Sequence, residues 1–203
     1  MDPAAYLQHT HDKYQELYRG SIRKLRDEGT NVEPETVVRP DPKTDQAPEP
    51  VVLDIVTGPT GDEKGSIVAV YTGPTDGPLV GVMRSGGVDI KVFPLTWDVL
   101  RVWIRIPSPE WDRLWAWRKR WVICEVGEVH APDADGVHNL VHYLSQPKHE
   151  GGGYAMELDL GSAPVEALTE LLDAFVAMCA VDINLGFSDG TDLPADVYTR
   201  ASA

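Results

Sequence analysis

Cysteine is scarce: Cys124 and Cys179 are the two in 203 residues. That is too few for a disulfide framework or a cysteine-built zinc cage. The pair reads as buried free thiols of a reducing cytoplasm. No apolar run approaches the roughly 18–20 residues a membrane span needs. The first ten residues are polar and carry Asp2, so the basic-then-apolar pattern of a secretory signal is missing. Basic residues almost vanish beyond position 120. Residues 121–203 hold Lys148 and Arg200 against 14 acidic side chains, so they carry −12 of the −14 total. Such a field repels nucleic-acid backbone and anionic lipid, and it speeds encounter with a basic protein. The plainer reading of the same charge is a solubility surface. Signature motifs of catalysis are missing too. Gly86-Gly87 leads into neither a helix nor a Lys-Ser/Thr pair, which excludes a phosphate loop. Ser85 lacks the glycine two residues earlier that a nucleophile elbow carries. No cofactor is expected.

What is present is a change of hydrophobic period along the chain. Leu7, Tyr14, Leu17, Tyr18, Ile22 and Leu25 recur at helical steps, which predicts a helix over 4–28 that Asp2-Pro3 starts and Gly29 stops. Its tyrosine-rich stripe suits a half-wet contact surface. Residues 30–50 hold Pro34, Pro40, Pro42, Pro48 and Pro50. Proline fixes φ and removes donors, so this stretch is expected to form neither helix nor sheet but an extended arm. From 51 the period becomes two. Strands are expected at Val51–Thr57 and Ser66–Thr72, each closed by Thr-Gly-Pro-Thr, and a hairpin joins Leu79–Arg84 to Val88–Phe93. Further strands are expected at Leu100–Ile106, Trp121–His130, Val137–Gln146, Tyr154–Leu160 and Val181–Phe187. Helices are expected from Ser108, capped by that serine, and over Pro164–Cys179 with Ser162 as cap. The reading divides the chain into a docking helix (1–29), an arm (30–50), an α+β domain (51–188) and a tail (189–203). The fold class is α+β: a mostly antiparallel sheet with two packed helices and a C-terminal β-α-β unit.

All six tryptophans lie between 97 and 121, interleaved with Arg101, Arg105, Arg113, Arg118, Lys119 and Arg120. Aromatics among arginines can stack on bases. The acidic chain and the helical spacing of the tryptophans argue instead for core plus a protein-binding patch. The candidate partner-binding residues are Tyr14, Tyr18, Trp111, Trp117, Arg118 and Arg120. His138 and His142, four apart, share a face, with His130 and Asp135 nearby, so a metal site is conceivable. The zinc-peptidase pattern needs a glutamate after the first histidine, and Asn139 stands there. Two histidines on a half-exposed strand is the plainer reading. Glu157 and Asp159 alternate with Met156, Leu158 and Leu160, as on the wet face of a strand.

These features together suit a non-catalytic protein-binding module, of the kind represented by an immunity or inhibitor protein covering a basic partner. Two other classes stay open. One is a subunit of a larger assembly, joined through residues 1–50, with a homo-oligomer among the outcomes. The other is a metal-dependent hydrolase built on His130, His138, His142 and Asp135.

Overall fold

A computed structural model describes residues 2–38, 51–58, 66–68, 70, 77–122 and 131–187. The fold is α+β. Helix α1 (Pro3–Asp27) begins where the sequence predicts: the Asp2 carboxylate accepts from Ala5 N at 3.1 Å and Pro3 occupies the first turn. A three-stranded antiparallel sheet follows, in the order β1 (Val32–Val38), β2 (Val51–Thr57), β3 (Ser66–Val68). Strands β4 (Gly81–Ser85) and β5 (Val88–Val92) form a hairpin. Its two turn residues, Gly86 and Gly87, take φ of 54° and 86°, the left-handed pair that a two-residue turn requires. Next come β6 (Leu100–Arg105), α2 (Asp112–Trp121), β7 (Tyr143–Leu144), β8 (Lys148–Glu150), β9 (Gly153–Asp159), α3 (Val165–Ala177) and β10 (Asp182–Phe187).

The second sheet has seven strands in the order β4-β5-β10-β6-β9-β7, with β8 also on β9. Its pairings are antiparallel except β5 with β10. The expected β-α-β unit is present as β9-α3-β10. Both strands run antiparallel to β6, which stands between them, so they are parallel to each other without touching. Alternation along β6 buries Leu100, Val102 and Ile104 on one face. They join Ile90, Val92, Ile183 and Leu185 in a core with Leu114 and Trp117 of α2 and Leu168, Leu171, Leu172 and Phe175 of α3. Fully burying each such aliphatic side chain contributes about 1.5–3 kcal/mol.

The structure corrects several expectations. Part of the proline-rich stretch pairs: Val32–Val38 is an edge strand on β2, with Pro34 opposite Ile55. Proline is tolerated there because an edge strand has one side without a ladder. Helix α2 starts at Asp112 rather than at Ser108, and α3 has no side-chain cap. Ser162 instead donates its hydroxyl to Glu35. Of the strand expected over Val137–Gln146, only Tyr143–Leu144 is regular. Cys179 is exposed, not buried, and takes φ 63° just beyond α3. Glu157 and Asp159 are buried, because β9 is covered on both faces. Cys124, His130, most of the strand expected over 121–130, the arm beyond Val38, the second Thr-Gly-Pro-Thr and the tail lie outside the described residues. Among the described residues, no helix is long and apolar enough to cross a membrane.

Candidate functional site: a buried histidine among three carboxylates

His142 sits where the two sheets meet. Its backbone carbonyl accepts from Val52 N of β2 at 3.1 Å, and its own N–H donates to Asp159 O of β9 at 2.9 Å. The segment 137–142 is therefore a seam between the sheets rather than a strand of either. The ring is 0% exposed and is surrounded by Glu35, Asp54 and Asp159, themselves 4%, 3% and 2% exposed. Nε2 lies 3.2 Å from Glu35 Oε1. A carboxylate there only accepts, so Nε2 carries a proton. Nδ1 faces Asp54 Oδ1 at 2.6 Å and Asp159 Oδ2 at 3.8 Å. The Asp54 contact has ion-pair distance but lies outside hydrogen-bond alignment, and Nδ1 has no hydrogen-bond partner.

Each carboxylate is placed by its element. Glu35 and Asp54 stand at facing positions of β1 and β2, between the pairs Pro34–Ile55 and Thr36–Leu53. Glu35 takes φ 53°, a left-handed conformation that is strained for a residue with a side chain. It is held by donors: the amides of His138 and Leu140, the Ser162 hydroxyl and His142 Nε2. Asp54 accepts from Val70 N at 2.7 Å, and Asp159 accepts from Gly161 N at 2.8 Å. Gly161 has φ 51°, and a Cβ there would stand 2.3 Å from His142 Cδ2, so the backbone is pressed against the imidazole ring.

Helix α1 closes the site. Tyr14 and Tyr18 are 0% exposed and stacked, with ring centroids 5.7 Å apart. The Tyr18 hydroxyl donates to Asp54 O at 2.6 Å. Burial, then the charge of nearby carboxylates, pushes both phenols well up, so they stay neutral donors. Burial alone would raise Glu35, but its bonds from His142, Ser162 and Leu140 outweigh that and hold it below the usual carboxylate range. Burial would likewise strip His142 of its proton. The contacts with Asp54 and Glu35, with the charge of Asp159, reverse the effect and hold the imidazole well above its ordinary value. The result is one buried cation facing three buried carboxylates.

The sequence-predicted sites fare unequally. His142 is in the cluster, and the His138 backbone amide donates to Glu35. Asp135 pairs with Arg19 and Arg23 of α1, and Asp133 pairs with Arg19 at 2.6 Å. Among the described residues, Asp54, His142 and Asp159 form a group that could hold a metal ion; of the expected set, His130 lies outside them. Tyr14, Tyr18 and Trp117 are core rather than surface, and the Trp117 indole donates to Ala167 O. Trp111 is half-buried and edge-on to Tyr154. Arg118 lies over the Trp115 ring, and Arg120 pairs with Glu170 at 3.2 Å. Glu35 and Asp54 escaped the sequence reading, and Asp159 was expected on a wet strand face, because strand propensity and proline placement say nothing of which carboxylates converge from separate strands. A weak signal was available: each interrupts an otherwise apolar or proline-marked strand. Comparison with protein-family models, with curated proteins and with solved structures finds no match to this chain.

Proposed function

We propose that the protein is a non-catalytic binding module that docks a protein partner on the open face of its larger sheet. One observation carries the reading. Over β4, β5, β10 and β6, the face opposite α2 and α3 is covered by no described element and centres on Trp103 of β6. Trp103 is half-buried, paired across the ladder with Asn184 and Ala155. Its indole donates to Glu150 O at 3.0 Å, and the ring lies close against the Gly153 backbone, where a side chain would strike it. The same face carries the exposed Val82 and Phe93. Around them runs a ladder of ion pairs: Arg84–Asp89, Lys91–Asp182, Arg105–Asp182 and Arg101–Glu150. A fixed aromatic ringed by paired charges is the composition of an interface hot spot. The −14 net charge supplies long-range steering toward a basic partner, as for an immunity or inhibitor protein. A reducing cytoplasm is the compartment that suits the two cysteines.

The buried histidine cluster supports this class over a hydrolase, because α1 seals it and leaves no approach for a substrate. Docking of α1 in cis through Leu7, Tyr14, Tyr18 and Ile22 also weakens the reading of that helix as an arm reaching to another subunit. The test compares the intact chain with Trp103→Glu and with Leu17→Glu, a change at an exposed position of α1. Quantitative pulldown and light-scattering chromatography are read together. The reading expects a stoichiometric partner, confirmed with both purified components, whose affinity falls at least tenfold with Trp103→Glu and is unchanged with Leu17→Glu. Equal binding by both variants would overturn it.

A further inference from the structure

We infer that Asp54, His142 and Asp159 form a binding site for one divalent metal ion of the zinc class, which fastens the two sheets together. The inference is independent of the partner-binding reading. Three donor atoms, one from each residue, lie within 4.8 Å of one another. Nδ1 of His142 stands 2.6 Å from Asp54 Oδ1 and 3.8 Å from Asp159 Oδ2. Ligand atoms at roughly 2.0–2.2 Å around a tetrahedral ion lie about 3.4 Å apart, so Asp54 opens and Asp159 closes by less than about an ångström. One imidazole and two carboxylates are a borderline nitrogen and oxygen donor set, which suits zinc better than magnesium or calcium.

The orientation of His142 is the second, separate observation. Glu35 accepts the Nε2 proton at 3.2 Å, so an ion that displaces the Nδ1 proton meets a neutral ring with Nδ1 as the metal-facing atom. That atom is buried, lies outside hydrogen-bond alignment although 2.6 Å from Asp54 Oδ1, and points at Asp54 and Asp159. A carboxylate on the far ring nitrogen is the arrangement that orients metal-bound histidines and raises their basicity. Glu35 is itself held by two amides and a hydroxyl. Its left-handed backbone is thus retained to deliver a carboxylate to Nε2. Asp54 and Asp159 are fixed in turn by Val70 N and Gly161 N, each through the carboxylate oxygen that does not face Nδ1. The oxygens facing Nδ1 are Asp54 Oδ1, which also accepts from the Tyr14 hydroxyl at 3.5 Å, and Asp159 Oδ2. The ion would join β2 of the small sheet, β9 of the large sheet and the seam between them. Because α1 covers the site, the metal is a structural clamp rather than a centre open to substrate.

The experiment uses the full chain, purified without chelator and assayed for metal, then stripped and titrated with zinc chloride. About one zinc per chain, a rise in Tm on adding zinc, and a shift of the His142 Nδ1 resonance in 15N NMR with Nε2 still protonated are expected. Cobalt in place of zinc should give visible d–d bands. Asp159→Asn should lower zinc affinity at least tenfold, and Glu35→Gln about 10- to 100-fold. The NMR measurement needs no variant, so it decides the matter even if Asp159→Asn does not fold. Two results would overturn the inference. One is a stripped chain whose Tm and His142 ring resonances ignore zinc, which leaves a buried imidazolium held by carboxylates alone. The other is wild-type affinity in Asp159→Asn, which places the ion elsewhere, for instance on the half-buried His11 and exposed Asp12 of α1.

Discussion

The sealed joint beneath α1 and the open face around Trp103 are built from the same kinds of side chain, with opposite energetic consequences. In the joint, Glu35, Asp54, Asp159 and His142 are out of water, so each charge depends on its neighbours. On the face, Arg84, Asp89, Lys91, Asp182 and Arg101 form comparable pairs at 2.5–3.1 Å, but water competes for every one of them. Exposed pairs of that kind contribute roughly 0–1 kcal/mol. Breaking a buried pair by removing one partner costs about 3–5 kcal/mol. Depth, not composition, decides which ion pairs the fold depends on and which stay available to a partner.

The contrast is broken most directly by His142→Ala. It leaves three buried carboxylates without their shared cation, and an expected loss of about 3–5 kcal/mol in urea unfolding would match a removed buried partner. A loss below about 1 kcal/mol would mean that the carboxylates already find water. Gly161→Ala sharpens the comparison. A Cβ would strike the His142 ring at a φ of 51°, so about 1–3 kcal/mol of overpacking adds to the backbone strain. Gly152→Ala, also left-handed at φ 79° but facing open space, carries the strain alone. Equal losses in the two variants would show that the ring yields freely. The smallest effect is expected at the half-exposed pairs that tie α1 to the loop at 133–136. The Arg23 bond lowers Asp135. For Asp133, burial opposes but the Arg19 bond and the amides of Val137 and Asp135 prevail. Lowered carboxylates contribute stability that is present above their unfolded value and is lost as pH falls through the folded one. The stability of wild type should therefore drop below about pH 4. Arg19→Gln with Arg23→Gln should flatten that limb by lowering stability modestly at pH 7 while changing little at its acid end. An unchanged acid limb would remove these pairs from the account.

Much of the architecture was legible because it is local. Asp2-Pro3 starts a helix wherever it stands before an amphipathic run, and Gly86-Gly87 turns a hairpin through its own φ preferences. The same local reasoning misplaced Tyr14 and Tyr18. An aromatic stripe has one appearance whether it meets a partner or its own chain, and here Asp54 of β2 and the His142 seam take it. Ser162 looked like a cap because it precedes a helix; Glu35, far away in sequence, takes its hydroxyl instead.

By itself the sequence determined the α+β class, the start of α1, the hairpin, the β9-α3-β10 unit and the acidic field, since each depends on neighbours a few residues apart or on charge alone. Only the tertiary structure decided that residues 35, 54, 142 and 159 meet in the dark while residue 103 faces out. That choice depends on strand order and on how two sheets pack, and pairings across more than a hundred residues leave no periodic trace in the chain.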